Sequence, residues 1–210
     1  MSSKALTLTA AIASACAVAL GQTTSQNVVG YINIDLTANQ YALIANQLDN
    51  GKGNKVGDLL AGVPENTTIA KFLNSKGGFE AANTYVGGEW DTPAQTLAPG
   101  EGAFIKAPSA TKITFVGEVK QGASSVPLRS GYSMISSVVP QEIDLEKVAD
   151  YGLKPNENDV VVQFVGGKYL GANTYAGGTF DPGKVAVGSA FWYLNTAKTA
   201  GSWDRTFNVQ

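Results

Sequence analysis

Ala82-Asn83-Thr84-Tyr85-Val86-Gly87-Gly88-Glu89-Trp90-Asp91 recurs further along the chain as Ala172-Asn173-Thr174-Tyr175-Ala176-Gly177-Gly178-Thr179-Phe180-Asp181. The segments around it recur in the same order. Tyr41-Ala42-Leu43-Ile44 is answered by Tyr132-Ser133-Met134-Ile135, and Gly100-Glu101-Gly102-Ala103-Phe104 by Gly188-Ser189-Ala190-Phe191-Trp192. Thr114-Phe115 is answered by Thr206-Phe207. Several matches in one order point to an internal duplication. The element itself reads as a β-hairpin. Its Gly-Gly pair supplies the positive φ of a tight turn, the aromatics flanking it pair across the strands, and Asp91 or Asp181 makes an Asx-turn ahead of Pro93 or Pro182.

Working outward, each copy reads mostly as strand. Ile32, Ile34 and Leu36 alternate with Asn33 and Asp35, the period of a half-buried strand. In the first copy, residues 41–45, 68–73, 79–86, 103–106 and 113–119 are short apolar runs bounded by Gly, Asn or Pro. The second copy offers 133–138, 160–165, 169–175, 190–194 and 205–209. One helix interrupts each. Val56, Leu59, Leu60 and Val63 share a face before Pro64, while Asp144 caps a turn carrying Leu145, Val148 and Ala149 that Gly152 ends. The fold class expected is all-β with one short helix per repeat, as two tandem lobes, each a β-sandwich or partly closed barrel. The expected organisation is a signal peptide at 1–21, a leader and strand at 22–36, β-repeats at 37–119 and 128–210, and a linker at 120–127. Trp90, Phe104, Phe115, Phe180, Trp192 and Phe207 are the expected core aromatics.

The start of the chain reads as an address. A short segment with one positive charge at Lys4 precedes an uncharged run, Ala5 to Leu20, and Ala19 and Gly21 sit where a signal peptidase requires small residues. The run is shorter than the roughly 20 residues that span a bilayer. Cleavage after Gly21 removes Cys16, the only cysteine. Lipidation at Cys16 is disfavoured by its early position in that run. The expected locations are secreted, extracellular or at the cell surface, with no membrane span after signal cleavage. An outer-membrane barrel would need unbroken alternating strands of about 10 residues, and these are shorter and interrupted.

Across 210 residues, 15 Lys and Arg face 17 Asp and Glu for a net charge of −2, so no basic footprint for nucleic acid exists. There is no His, which removes the commonest general base and metal ligand, and with them Ser-His-Asp and Cys-His catalysis. Asp91 and Asp181 stand at equivalent places in two copies. Like environments do not make the unlike pair of carboxyls a glycosidase uses. Asp49-Asn50-Gly51-Lys52-Gly53-Asn54 has Gly where the third and fifth oxygen ligands of a calcium loop belong, so it reads as a solvated loop. No catalytic residue, metal ligand or cofactor is expected.

The order Val29-Gly30-Tyr31, Tyr41-Ala42-Leu43-Ile44-Ala45-Asn46 and Pro99-Gly100-Glu101-Gly102-Ala103-Phe104 resembles a class of exported bacterial proteins with two tandem β-rich repeats. The resemblance spans residues 28–209, with a departure at Val187-Gly188-Ser189-Ala190. It implies export and fold, and no activity. Two functions are expected from different classes. The first is a secreted structural protein assembling with copies of itself through an N-terminal strand that includes Val28, Val29, Tyr31, Ile32 and Ile34. Val28 to Ile32 is similar to Phe115 to Val119, and Thr206 to Val209 holds a like place at the end, so chemically similar edges could pair head to tail. The second is a carbohydrate-binding module, its polysaccharide stacking on Tyr85, Trp90, Tyr175 and Phe180.

Overall fold

Short apolar alternations broken by positive-φ Gly and Asn can only make short strands, and the computed structural model is accordingly all-β, built of several antiparallel sheets. It describes residues 28–209; the expected signal peptide and residues 22–27 of the leader lie outside the described residues. The first half contains β1 (Val29–Leu36), β2 (Tyr41–Ile44), α1 (Val56–Leu59), β3 (Thr68–Leu73) and β4 (Gly78–Phe79). It continues with β5 (Asn83–Val86), β6 (Glu89–Trp90), β7 (Ala103–Lys106) and β8 (Thr111–Glu118). The second half contains β9 (Gly122–Leu128), β10 (Gly131–Ile135), β11 (Ile143–Asp144), a 3-10 helix (Leu145–Tyr151), β12 (Val160–Val162) and β13 (Phe164–Val165). Then come β14 (Lys168–Tyr169), β15 (Asn173–Thr174), β16 (Lys184–Val185), β17 (Phe191–Asn195) and β18 (Gly201–Phe207).

Two sheets carry corresponding strand orders. One runs β2-β7-β3-β5-β6, with β4 beside β3; the other runs β10-β17-β12-β15. Leu43 lies opposite Phe104 in the first, and Met134 opposite Trp192 in the second. Each sheet is accompanied by a two-stranded ribbon, β1-β8 and β9-β18 respectively. None of the sheets closes into a barrel among the described residues.

The ribbons revise two expectations. Residues 120–127 do not form a linker, because Gly122–Leu128 is a strand paired from Gly122↔Phe207 to Leu128↔Gly201. Its period of two was hidden by small residues: Val126 and Leu128 are buried, while Ala123, Ser125 and Pro127 face out. The closing strand also starts earlier than the expected 205. Consequently Trp203, not Phe207, fills the second core; Phe207 and Trp192 are only half-buried, while Trp90, Phe104, Phe115 and Phe180 are buried. Trp203 follows Trp192 at the same interval as Phe115 follows Phe104, so the Thr-Phe match had pointed four residues too late.

The second helix differs in pitch. Asp144 Oδ1 accepts from the Glu146 N–H (3.1 Å) and Gly152 closes the turn at φ 82°, but the helix is 3-10. Lys147 at φ −123° is not helical, so two short turns meet there, with Leu145 and Val148 buried on either side and Ala149 turned outward.

The halves clasp each other rather than standing apart as separate lobes. Ile44 bridges Ser189, and Ile135 bridges Glu101. The Ala45 N–H donates to the Gly188 carbonyl (2.8 Å), and the Ser136 N–H donates to the Gly100 carbonyl (3.0 Å). Leu43, Ala45, Phe72, Phe104, Met134 and Ala190 form a core shared by both halves, apart from the core of each. Some polar pairs belong to one half alone. Buried Lys71 donates to Glu101 Oε2 (2.7 Å) and to the Thr96 carbonyl (2.8 Å). The corresponding second-half positions are Gln163 and Ser189, so both charges are absent together.

Candidate functional site

The recurring hairpin is accounted for by its own structure. Gly87 and Gly88 have φ 65° and 84°, and Gly177 and Gly178 have φ 61° and 89°, a turn that L-residues adopt poorly. The Glu65 carboxylate accepts from the Gly87 and Gly88 N–H groups (2.8 and 2.9 Å), and Glu157 accepts from the Gly177 N–H (3.3 Å). The expected Asx-turns of Asp91 and Asp181 are replaced by asparagine clamps. Asn83 exchanges two hydrogen bonds with the Thr92 backbone (2.8 and 2.9 Å), and Asn173 does so with the Asp181 backbone (2.9 and 2.8 Å).

The four candidate stacking rings sit in these hairpins as two edge-to-face pairs. Tyr85 and Trp90 have centroids 5.5 Å apart, and Tyr175 and Phe180 5.1 Å. Trp90 is 3% exposed and Phe180 1%, Tyr85 is also buried and Tyr175 half-buried. The Trp90 indole donates to the Leu60 carbonyl (3.0 Å). An open platform for a ligand is therefore not what they form. The Asp49–Asn54 loop folds on its own side chains: Asn50 Oδ1 accepts from the Lys52 and Asn54 N–H groups (both 2.9 Å), and Asp49 Oδ1 from the Gly51 N–H (2.9 Å). Among the described residues no three His, Cys, Asp or Glu side chains gather as metal ligands would.

The candidate assembly strand is placed in cis. Val29–Leu36 pairs with Thr111–Glu118, the very segment its sequence is similar to, and the Val28 carbonyl accepts from the Val119 N–H (2.8 Å). Ile32 is buried and Ile34 and Val28 are half-buried in the first core, while Val29 and Tyr31 point to solvent, Tyr31 being 71% exposed. Beyond β8, β1 has no second strand neighbour among the described residues.

The surface aromatics gather elsewhere, at the junction of the halves. In each half a hairpin brings two aromatics together, Phe72 opposite Phe79 and Phe164 opposite Tyr169. Each pair grips a ring of the other half. Phe72 and Phe79 pack on Trp192 (4.8 and 6.1 Å), and Phe164 and Tyr169 pack on Phe104 (5.0 and 6.4 Å), all edge-to-face. Asn74 fixes the first hairpin against the second half: its Nδ2 donates to the Met134 carbonyl (3.0 Å) and its Oδ1 accepts from the Met134 N–H (2.8 Å). Tyr132, 45% exposed, and Tyr169, 56% exposed, leave much of their surface open to solvent. Between them opens a cleft of about 430 Å³, walled by Phe72, Tyr132, Val162, Tyr169 and Trp192, with Gly77 and Arg129 at one side.

Nothing in the local sequence pattern marked this cleft, because its walls come from both halves. The available signal was the aromatic on each side of a Gly-containing turn, Phe72 and Phe79, then Phe164 and Tyr169. The other walls, Tyr132 and Trp192, lie on strands whose pairing only the fold reveals. No family profile, curated protein or solved structure matches the chain.

Proposed function

We propose that this protein is a non-enzymatic, exported carbohydrate-binding protein that holds a sugar ring in the cleft between its halves. The observation that carries the reading is the cleft wall itself. Tyr132, Tyr169 and Trp192 present aromatic surface around a space of about 430 Å³, a size suited to a small ligand. Pyranose C–H faces pack on such rings, and a tyrosine adds a hydroxyl for the sugar's own. The cleft's ionisable groups are one guanidinium and two phenols, with no carboxylate pair to protonate and attack a glycosidic bond. We further infer that the halves are copies of one β-unit; corresponding strand orders, reciprocal bridges and reciprocal aromatic clamps support it.

The test is titration calorimetry of oligosaccharides into the protein, its Tyr132→Ala form and its Tyr169→Ala form. Both rings are exposed enough for removal to spare the fold, which circular dichroism checks. Each substitution should weaken binding about tenfold, the loss of one stacked face, and the glycan should be recovered uncut. Unchanged affinity in both variants, or a glycan hydrolysed by the protein, refutes this reading.

A second reading, a secreted structural protein that assembles with its own copies at the cell surface or in a matrix, is favoured by the outer edge of β1. That edge has no strand partner among the described residues, and Val29 and Tyr31 beside it are exposed. N-terminal sequencing of the exported chain should then begin at Gln22, and light scattering should show mass growing with concentration. A proline at Tyr31, which places a residue without an N–H on the strand, should stop that growth. A chain that stays monomeric at high concentration excludes assembly.

A further inference from the structure

Arg129 is the single charged residue on the wall of the aromatic cleft. Among the described residues it has no ion pair; the cations that do are Lys71, Lys112, Lys147 and Lys184. Its backbone N–H donates to Ser133 Oγ (3.1 Å), which fixes the turn leading into β10. The guanidinium rests on Gly77, where a Cβ would fall 2.0 Å from one terminal nitrogen and 2.3 Å from Cζ. The guanidinium thus packs directly on bare backbone, at a glycine whose φ of 69° suits few other residues.

A second cleft across the junction supplies the contrast. It is lined by Gln40, Tyr41, Leu43 and Phe164 and also by Asp35 and Lys184, with a volume of about 320 Å³. There Gln40 takes the place over the hairpin turn: a Cβ on Gly167 would fall 2.3 Å from its Nε2, and that Nε2 donates to the Gly166 carbonyl (2.9 Å). The neutral amide is used by the protein, whereas the guanidinium has no ion pair or hydrogen bond among the described residues. Asp35 and Lys184 of that cleft are paired with Lys112 and Glu142 (3.6 and 2.5 Å), so among the described residues Arg129 is the charged side chain of the two clefts left without an ion pair.

We infer that the Arg129 cleft selects an acidic saccharide, one whose ring carries a carboxylate or a sulfate. This rests on the cleft being the saccharide site. The aromatic walls hold the ring, and the fork of the guanidinium takes two anionic oxygens at once, a geometry lysine cannot reproduce. The protein's net charge of −2 gives no general attraction to polyanions, so the preference is local to this one side chain.

Titration calorimetry with four probes tests it: an oligogalacturonide, its methyl ester, a sulfated galactan oligosaccharide and its desulfated form. One acidic probe should bind at least about tenfold tighter than its neutral form, the effect of a charged hydrogen-bonded pair. Which one shows the preference separates carboxylate from sulfate. Arg129→Gln, which removes the charge and keeps a polar amide, should erase the difference between the acidic and neutral forms. Thermal unfolding of that variant checks its fold. Equal binding of acidic and neutral forms by the wild type, or a preference surviving in Arg129→Gln, overturns the inference and leaves the saccharide reading standing. Absence of binding by all four probes removes both.

Discussion

Trp203→Ala costs about 3–5 kcal/mol of folding stability, the range for truncating a fully buried tryptophan. For a chain whose total stability is about 5–15 kcal/mol, that is a large part of the whole. Trp203 is 2% exposed and stands opposite Val126 in the β9-β18 ribbon. Its ring lies 6.1 Å from that of Phe191, and its indole donates to the Tyr151 carbonyl (2.8 Å), tying the ribbon to the 3-10 helix. Alanine leaves a cavity between ribbon, helix and sheet and orphans that carbonyl. Phe207→Ala, at a half-buried position near the ribbon's end, should cost less than about 1.5 kcal/mol. Equilibrium denaturation in urea measures both. If the halves are copies, Phe115→Ala should match Trp203→Ala rather than Phe207→Ala, because Phe115 fills that place in the first core. A larger loss at Phe207 than at Trp203 would show that the strand register is wrong.

That contrast also marks how far the sequence could be read. The Gly-Gly hairpins, the all-β class and the ends of the 3-10 helix were legible because turn chemistry and capping act within a few residues. The closing strand was not, since Thr206-Phe207 resembles Thr114-Phe115 in letters while Trp203 matches Phe115 in position. Strand β9 looked like a linker because Ala123, Ser124 and Ser125 carry little apolar signal, and only pairing with β18 gives them an inside and an outside. The candidate stacking rings recur in sequence, but recurrence also follows from structural need. Each of the two hairpins packs on its own core, so Trp90 and Phe180 are buried. The cleft arises where the two halves meet and depends on residues such as Arg129 that have no recurring counterpart in the sequence. Recurrence makes hairpin residues conspicuous and leaves those at the junction inconspicuous.

Asp159→Asn should destabilise the second half by about 3 kcal/mol at neutral pH, since charged hydrogen bonds are worth about 1.5–3 kcal/mol each and a backbone N–H is left facing the new NH2. Asp159 is fully buried and has no ion pair among the described residues. Its Oδ1 accepts from the Thr196 N–H and hydroxyl (both 2.8 Å); its Oδ2 accepts from the Tyr193 hydroxyl (2.5 Å), the Asn156 N–H (2.9 Å) and the Asn156 Nδ2 (3.4 Å). An amide must turn its NH2 toward one of these two sets of donors. The hydroxyls can rotate to accept, but the backbone N–H groups of Thr196 and Asn156 cannot. Burial alone would push the carboxyl up, yet the donors from Tyr193, Thr196 and Asn156 outweigh it and hold its pKa below the ordinary value of 3.8. Burial and the adjoining carboxylate in turn push the Tyr193 phenol up, so it remains a donor across the neutral range. A carboxyl with a lowered folded-state pKa stabilises the fold above its unfolded pKa, and that contribution is lost as pH falls through the folded value. The stability gap between wild type and Asp159→Asn should therefore be flat near neutrality and shrink once pH drops below about 4, because the protonated acid, like the amide, carries a donor among donors. The first half provides the internal comparison. Thr67 and Ile105 hold the places of Asp159 and Tyr193 there, so both members of the pair are exchanged together and no acid-sensitive bond remains at that site. Hydrogen exchange at falling pH should then release amides of β12 and β17 before those of β3 and β7. A gap that stays constant down to pH 3, or the reverse order of release, would mean that the buried carboxylate is not what anchors the second sheet.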